Sequence, residues 1–342
     1  MSEPAPVDEP ALAGPSDPGA LLDRARQGDR GALARLLTFV EGAGERSRTA
    51  ARLGYLAEPP YVVGLTGAPG SGKSTLVDRL VVAVRGGWPA AEAGDEAPTG
   101  VLQPVEQVGV LAVDPTSPFS GGAILGDRAR MQRHATDQSV FIRSMATRGH
   151  LGGLALAVPD ALRVLGAAGI PVAVVETVGV GQVEVEVAAA SDTTIVVVNP
   201  GWGDSLQAAK AGLLEVADLF VINKADRPGA AEARQDLRQM LALGAPQGWT
   251  PPIVDTVATT GEGVDELWGA VARHRAFLES TGQLDARRTA RAEQELRKVL
   301  LAVLGRRVDA VAGSPAFRRA LEDLVHGRAD PYELADRLLE SS

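Results

Sequence analysis

In the first quarter of the chain lies a glycine-rich segment with the composition of a phosphate-binding loop. Residues Gly67–Ser74 match the pattern G-x-x-x-x-G-K-[ST] between an apolar run, Tyr61–Leu65, and a helix-like stretch, Leu76–Val84. In such a loop the glycines let main-chain amides turn towards an anion, and the helix adds the positive end of its dipole. We expect the Lys73 ammonium to reach the β- and γ-phosphates and act in catalysis, and the Ser74 hydroxyl to ligate Mg²⁺. The predicted nucleotide-binding residues of this loop are Gly67, Ala68, Pro69, Gly70, Ser71, Gly72, Lys73, Ser74 and Thr75.

A second motif indicates which base the nucleotide carries. The sequence Asn-Lys-Ala-Asp at Asn223–Asp226 follows the apolar run Leu219–Ile222. The Asp226 carboxylate can accept hydrogen bonds from N1–H and the exocyclic amine of guanine, whereas adenine presents a lone pair at N1 and no donor at C2. A buried polar group that loses its partner costs about 1–3 kcal/mol, and a charged one costs more. The sequence therefore predicts that Asn223, Lys224 and Asp226 select GTP or GDP over ATP.

A short segment after the last apolar run is a candidate for contact with the same base. Val257, Ala258 and Thr259 are small enough for a purine to lie against the backbone. We expect them to line the nucleotide site, with the Ala258 amide as a donor to guanine O6. The same residues are also typical of a strand that ends in a turn, so both interpretations stay open.

Three acidic residues are candidates for the metal site. Asp114 follows the apolar run Val108–Val113, beside a loop rich in serine and glycine that leads to Asp127, and Glu176 ends another apolar run. We predict that Asp114, Asp127 and Glu176 join Ser74 around Mg²⁺, and that Asp114 and Glu176 act in catalysis. The alternative role for Asp114 is a turn cap, and which of Asp114 and Asp127 contacts the ion directly stays open.

The segment after Glu176 predicts a contact with the γ-phosphate. Small GTP-hydrolysing domains usually show Asp-x-x-Gly at this point, and this chain has Glu176-x-x-Gly179, so Gly179 is a predicted nucleotide contact. The next residue is Val180 rather than the water-positioning glutamine of some GTPases. We therefore expect slow intrinsic hydrolysis, with Gln182 better suited to contact a partner.

Composition excludes several classes of function. The chain of 342 residues is 45% apolar and carries a net charge of −9, which argues against a general nucleic-acid or anionic-membrane surface. It has no cysteine, which excludes disulfides, thiolate metal sites and cysteine nucleophiles, and its 4 histidines are not spaced as metal ligands. There is neither a signal-peptide pattern nor an uninterrupted membrane-length apolar stretch. We expect a cytoplasmic protein that binds neither nucleic acid nor membrane.

Apolar runs and helical stretches must position these residues, and they alternate from Tyr61 onwards. The runs are apolar throughout, as in parallel strands covered on both faces. This pattern predicts an α/β fold with a mostly parallel sheet and helices on both sides. The candidate motifs all follow predicted strands, and such sheets bind ligands at strand carboxyl ends. The predicted strands are Tyr61–Leu65, Val108–Val113, Val140–Ile142, Val172–Val175, Thr193–Val198, Leu219–Ile222 and Ile253–Val257, and the predicted helices between them are Ser74–Val84, Asp160–Ala168, Leu206–Glu215, Ala230–Leu241 and Val264–His274.

Composition also predicts how the chain is divided. The start is rich in proline and acids without a basic residue, which is typical of disorder. The helical pattern that follows breaks at Gly28 into two helices, with Asp29 as a candidate cap. We expect the segment 86–106 to be a surface excursion without function. The predicted divisions are a disordered tail over 1–19, an N-terminal helical segment over 20–57, the α/β domain over 58–275 and a C-terminal helical extension over 276–342.

Taken together, these residues resemble the MeaB/ArgK family of GTPases, which are chaperones of adenosylcobalamin-dependent acyl-CoA mutases. The resemblance covers most of the chain after the tail. Leu111–Met131 is similar to the family's first switch region, and Phe141–Leu154 to its most distinctive signature. Glu176–Gln182 is similar to its variant of Asp-x-x-Gly, and Pro200–Gly212 to an extra loop that reads the state of the partner.

The resemblance implies a P-loop NTPase G domain of the signal-recognition-particle and MinD class, flanked by N-terminal helices and a C-terminal dimerisation arm. It implies a homodimer that uses Mg²⁺ and GTP hydrolysis to gate delivery of adenosylcobalamin to an acyl-CoA mutase and to protect or reactivate that enzyme. Methylmalonyl-CoA mutase is the commonest partner, although isobutyryl- or ethylmalonyl-CoA mutase fits the sequence equally well. The residues that match the family's nucleotide and metal positions are Lys73, Ser74, Asp114, Asp127, Glu176 and Asp226.

Two other functions share part of this pattern. A nickel-insertion GTPase has the same class of domain but needs clustered histidine or cysteine ligands, which the sequence lacks. The second function is that of a kinase linked to amino-acid transport, a description that has been given to relatives. The sequence contains no membrane segment that would support a role in transport.

Overall fold

The computed structural model describes residues 17–42, 44–87, 105–115, 131–134, 136–147, 153–177, 187–201, 216–243 and 248–340. Asp127, Gly179 and the predicted helix Leu206–Glu215 lie outside these residues, as do nearly all of the predicted tail and most of the 86–106 segment.

A seven-stranded parallel sheet lies at the centre of the α/β domain, which confirms the predicted fold class. Its strands are β1 (Tyr61–Gly67), β2 (Val108–Pro115), β3 (Val140–Thr147), β4 (Val172–Thr177), β5 (Thr193–Val198), β6 (Leu219–Asn223) and β7 (Ile253–Thr256). Their order across the sheet is β3-β2-β4-β1-β5-β6-β7. Because all neighbours run parallel, the carboxyl ends of β1, β2 and β4 lie side by side at one edge.

Helices cover both faces of this sheet. The helices with bounds in the described part of the chain are α1 (Pro18–Arg26), α2 (Arg30–Glu41), α3 (Glu45–Gly54), α4 (Lys73–Arg85), α5 (Gly153–Ala167), α6 (Ala230–Leu243), α7 (Val264–Ser280), α8 (Gln283–Ala312), α9 (Pro315–Val325) and α10 (Pro331–Glu340). Among them, α1, α2 and α5 contribute to the core on one face of the sheet, and α4 and α7 to the core on the other. Strand β4 illustrates the two-sided burial: Ala173 and Val175 pack towards α2 and α5, and Val172 and Val174 pack towards α4 and α7. Fully burying such a valine contributes about 1.5–3 kcal/mol.

The N-terminal segment forms three helices where the sequence predicts two. Asp29 caps α2 as predicted, with its carboxylate accepting from the Ala32 amide at 2.9 Å. The additional break follows Gly42, and Gly44, with φ of 98°, precedes α3. A positive φ is cheap only for glycine, so Gly44 allows α3 to begin shortly after α2 has ended at its cap, Gly42.

Several elements are longer than their apolar runs. Strand β3 continues from the predicted Val140–Ile142 to Thr147 because it pairs with β2 along its whole length. Arg143 interrupts the apolar pattern of this strand. Its guanidinium donates to the Glu41 carboxylate of α2 at 2.9 Å, so its charge is paired beneath the helices that cover the sheet. Helix α5 begins at Gly153, ahead of the predicted Asp160, and continues through Pro159. Pairing and packing with distant residues set these bounds.

The chain divides into two compact units, residues 1–288 and 289–342. The second unit contains the rest of α8 together with α9 and α10. Its apolar side chains are mostly exposed, whereas Leu334 is buried. Among the described residues, no helix is both long and apolar enough to cross a bilayer.

Candidate nucleotide-binding site

The phosphate loop connects the end of β1 to the start of α4, as its sequence predicts. Gly67 has φ of 137°, and a Cβ there would lie 2.1 Å from the Val197 carbonyl oxygen of neighbouring β5. Gly72 has φ of 92°, and a Cβ there would lie 2.4 Å from Nδ2 of Asn223. Both positions therefore require glycine, because of the positive φ and because another segment of the same chain lies so close.

Lys73 is buried at the first position of α4. Its ammonium donates to the carbonyl oxygens of Gly67 and Ala68, at 2.6 and 3.1 Å. The charge that should meet phosphate oxygens is thus already held inside the loop. A bound phosphate would take the place of these carbonyl partners.

Ser74 and Glu176 bring the phosphate loop and β4 together. The Ser74 hydroxyl donates to Oε1 of Glu176 at 2.5 Å, and Glu176 is 1% exposed. Strand β4 lies between β1 and β2, with Glu176 opposite Leu65 on one side and Ala112 on the other. A hydroxyl and a carboxylate are the oxygen ligands that Mg²⁺ prefers, so these residues fit the predicted metal site.

The other predicted metal ligands are only partly described. Asp114 is the next-to-last residue of β2 and pairs with Ala146 of β3, so its backbone lies at the same edge of the sheet as Glu176. Asp127 and the predicted γ-phosphate contact Gly179 lie outside the described residues. Within the described ranges, no cluster of three or more histidine, cysteine or acidic side chains has metal-ligand geometry.

The Asn223–Asp226 motif forms hydrogen bonds to the backbone of the phosphate loop. Asn223 is buried, and its Nδ2 donates to the Ser71 carbonyl at 2.8 Å. Its Oδ1 accepts from the Thr256 hydroxyl and the Ala258 amide, at 3.2 and 3.1 Å. Lys224 has φ of 60° and donates to the Gly70 carbonyl at 2.6 Å. One motif therefore holds both the phosphate loop and the segment predicted to contact the base.

The residues expected to read the base differ in exposure. Asp226 and Thr259 are exposed, whereas Val257 and Ala258 are buried. The Ala258 amide, which the sequence offers to guanine O6, here donates to Asn223. The exposed Asp226 carboxylate, in the turn that follows β6, is able to accept hydrogen bonds from a purine ring.

Arg79 of α4 is a site residue that the sequence analysis missed. Its guanidinium donates to the carbonyl oxygens of Ala258 and Thr259, at 3.2 and 2.6 Å. Arg79 lies in the phosphate-loop helix, and its partners lie 179 and 180 residues further along the chain. No spacing signal links positions so far apart, so only the folded structure reveals the contact.

A second group missed by the sequence analysis lies at the amino ends of the central strands, opposite the site. Asp218, just before β6, accepts from the two terminal guanidinium nitrogens of Arg287, at 2.9 and 3.1 Å, and from the Thr194 amide at 2.8 Å. Burial raises the pKa of the Asp218 carboxyl, but hydrogen bonds and charge from His274 and Arg287 outweigh burial and hold its pKa below the usual value. Asp192, before β5, pairs with Arg288 at 3.0 Å in the same way.

Known proteins resemble this chain along most of its length. The family model described as methylmalonyl-CoA mutase-associated GTPase MeaB matches residues 33–312. A Pyrococcus abyssi protein with a provisional GTPase designation is 47% identical over 325 residues, which covers 94% of this chain and 95% of its own. GTPase ArgK of Escherichia coli is 37% identical over 288 residues, 81% of this chain and 82% of its own. A crystal structure described as a LAO/AO transport system kinase aligns with a TM-score of 0.65 and 27% identity, covering 96% of this chain and 99% of its own.

Proposed function

Because the chain belongs to the MeaB family of methylmalonyl-CoA mutase-associated GTPases, we propose that it binds and hydrolyses GTP to assist an adenosylcobalamin-dependent acyl-CoA mutase. The observation that carries the proposal is the double contact of Asn223. Its amide nitrogen binds the phosphate loop at Ser71, and its oxygen accepts from Ala258 beside the predicted base contacts. One side chain thereby fixes the phosphate end of the site relative to the base end.

The buried polar groups at the strand ends support hydrolysis. Ser74 and Glu176 would hold Mg²⁺, with Asp114 at the neighbouring strand end. When bound there, Mg²⁺ would supply positive charge that neutralises the charge developing on the phosphates. Lys73 would exchange its carbonyl partners for phosphate oxygens, and its ammonium is already held beside the phosphate loop. Glu176 fixes the Ser74 hydroxyl through its short hydrogen bond.

The second unit supports the proposal that two copies assemble. On α8, the exposed apolar residues Leu296, Val299, Leu300 and Leu304 recur at helical spacing along one stripe. Such a stripe is stabilised when a second helix covers it. We propose that a second copy of this chain does so, forming the homodimer that the family resemblance implies.

Phosphate release from GTP tests the proposal directly. We expect Mg²⁺-dependent release that is slow alone and faster with methylmalonyl-CoA mutase, with the increase depending on whether the mutase carries adenosylcobalamin. Lys73→Ala should abolish release, whereas Lys298→Ala, an exposed lysine in the second unit, should leave it unchanged. Unchanged hydrolysis in Lys73→Ala would contradict the site. If neither the cobalamin-loaded nor the empty mutase changed the rate of phosphate release, the proposal that a mutase is the partner would be wrong.

A kinase role is the second candidate, favoured by the description of the solved relative as a transport system kinase. A protein kinase transfers the γ-phosphate to a side chain, whereas a GTPase transfers it to water. Incubation of the purified protein with γ-labelled GTP and candidate acceptor proteins distinguishes the two. We expect label in inorganic phosphate. Stoichiometric label in protein would favour the kinase instead.

A further inference from the structure

Arg79 joins the phosphate-loop helix α4 to Val257–Thr259, the segment predicted to contact the base. It has no acidic partner among the described residues. Its guanidinium donates to two consecutive carbonyl oxygens, those of Ala258 and Thr259. We propose that Arg79 is a positioning residue for base recognition: it orients the peptide between Ala258 and Thr259 so that the Thr259 amide donates to O6 of guanine. This inference rests on the proposed function, because it concerns the same nucleotide.

The other amides of this turn are already occupied. The Ala258 amide donates to Asn223 Oδ1 at 3.1 Å. The amides of Thr260 and Gly261 both donate to the Val257 carbonyl, at 3.0 and 2.9 Å. For the Thr259 amide, no acceptor is found in the described part of the chain, and Thr259 is exposed. Thr259 therefore supplies the amide of this turn that is available to a ligand.

Peptide geometry links Arg79 to that amide. The Ala258 carbonyl and the Thr259 N–H belong to one planar trans peptide, in which the two groups point in opposite directions. Because the carbonyl is held towards Arg79 on α4, the N–H is held away from that helix. The second bond, to the Thr259 carbonyl at 2.6 Å, fixes the next peptide as well. Rotation of the Thr259 amide would have to break contacts with a charged donor.

Charge adds to this orientation. Hydrogen bonds in which one partner is ionised are roughly twice as strong as neutral ones. A cation on the carbonyl oxygen also polarises the whole peptide group, which makes its N–H a better donor. The acceptor that suits such a donor is a carbonyl oxygen on the purine ring. Guanine has one at C6, where adenine has an amine, so Arg79 would act on base selectivity through Thr259.

The test compares GDP with 6-thio-GDP, which replaces O6 by a weakly accepting sulfur and keeps the N1–H and amine that Asp226 would bind. Affinities are measured by calorimetry for the full chain and for Arg79→Met, Arg79→Lys and Arg85→Met. Arg85 is the matched control, because it lies on the same helix and pairs with Asp137 instead. Thermal unfolding of each variant shows that it is folded.

We expect the wild type to bind GDP more tightly than 6-thio-GDP. Arg79→Met should weaken GDP binding about tenfold, weaken 6-thio-GDP binding much less, and so reduce the ratio between them. Arg79→Lys should restore part of that ratio, and Arg85→Met should match the wild type. A purely structural role would weaken both ligands equally, and that result would overturn the inference, as would an unchanged ratio. Failure of the wild type to bind GDP would instead defeat the proposed function, and this inference with it.

Discussion

The Ser74 hydroxyl of the phosphate loop donates to the Glu176 carboxylate of β4 across 2.5 Å. This contact joins two segments that are 102 residues apart in the chain. It is buried and lies at the edge of the sheet where β1, β2 and β4 end. The hydroxyl and the carboxylate thus meet at the point where the sequence predicts a metal ion and a triphosphate.

Replacing Glu176 tests its role at this point. Glu176→Gln keeps the shape of the side chain and removes its charge, so Mg²⁺-dependent GTP hydrolysis should fall about 10–100-fold. GDP affinity in the absence of Mg²⁺ should change little. Phosphate release measured over a range of Mg²⁺ concentrations checks both expectations.

Glu176→Asp is the matched control for that experiment, because it retains the charge on a shorter side chain. Its hydrolysis should lie between that of Glu176→Gln and the wild type, with a shifted Mg²⁺ requirement. The assignment would be wrong if Glu176→Gln hydrolysed GTP at the wild-type rate with the same Mg²⁺ dependence.

Asp226 is expected to read the base. In Asp226→Asn, an amide faces the exocyclic amine of guanine, so GTP affinity should fall about 10–100-fold. Xanthine carries a carbonyl in place of that amine and accepts from the new amide, so xanthosine triphosphate should become the preferred ligand. Calorimetry with both nucleotides measures the switch. Asp236→Asn is the control, because Asp236 is an exposed aspartate on α6. If both variants preferred GTP over xanthosine triphosphate to the same extent, Asp226 would be excluded as the base contact.

The Asp218 network predicts how stability depends on pH. His274 and Arg287 hold the pKa of the folded Asp218 below its ordinary value of 3.8. The contribution of the Asp218 carboxylate to the free energy of unfolding should therefore be complete above pH 3.8. It should be lost as the pH falls through the pKa of the folded state. Asp218→Asn should lower the free energy of unfolding by about 3 kcal/mol near neutral pH.

Urea unfolding of the wild type and Asp218→Asn at neutral pH and at pH below 3.8 measures this difference. The gap between the two proteins should narrow in acid. A gap that is the same at both pH values would show that the carboxylate charge does not stabilise the fold, and Asp236→Asn should show no gap at either.

Much of the α/β domain could be predicted from the sequence because its strands and motifs are specified by residues close together in the chain. Fully buried parallel strands require continuous apolar runs, so all seven strands of the sheet correspond to predicted runs. The family membership, predicted from motifs such as Gly67–Ser74, is confirmed by the match over residues 33–312. Asp29 was recognisable as a cap because its partner, the Ala32 amide, lies within one helical turn.

The remaining features depend on contacts between distant residues. Arg79 has the sequence context of any polar residue on a helix, and its role follows from two carbonyls near the other end of the domain. Arg287 likewise gives no sign that it pairs with Asp218, 69 residues away. Strand β3 extends beyond its apolar run because β2 supplies backbone partners as far as Thr147. Periodicity within a short window contains none of this information.

The central claim is that one site holds a guanine nucleotide between the phosphate loop and Asp226. Its most direct test is calorimetry of the wild-type protein with GTP and ATP analogues that resist hydrolysis, in the presence of Mg²⁺. The claim predicts that the guanine analogue binds at least about 100-fold more tightly, because the adenine ring would leave a carboxylate without its donors. Equal affinity for the two analogues, or tighter binding of the adenine analogue, would contradict it.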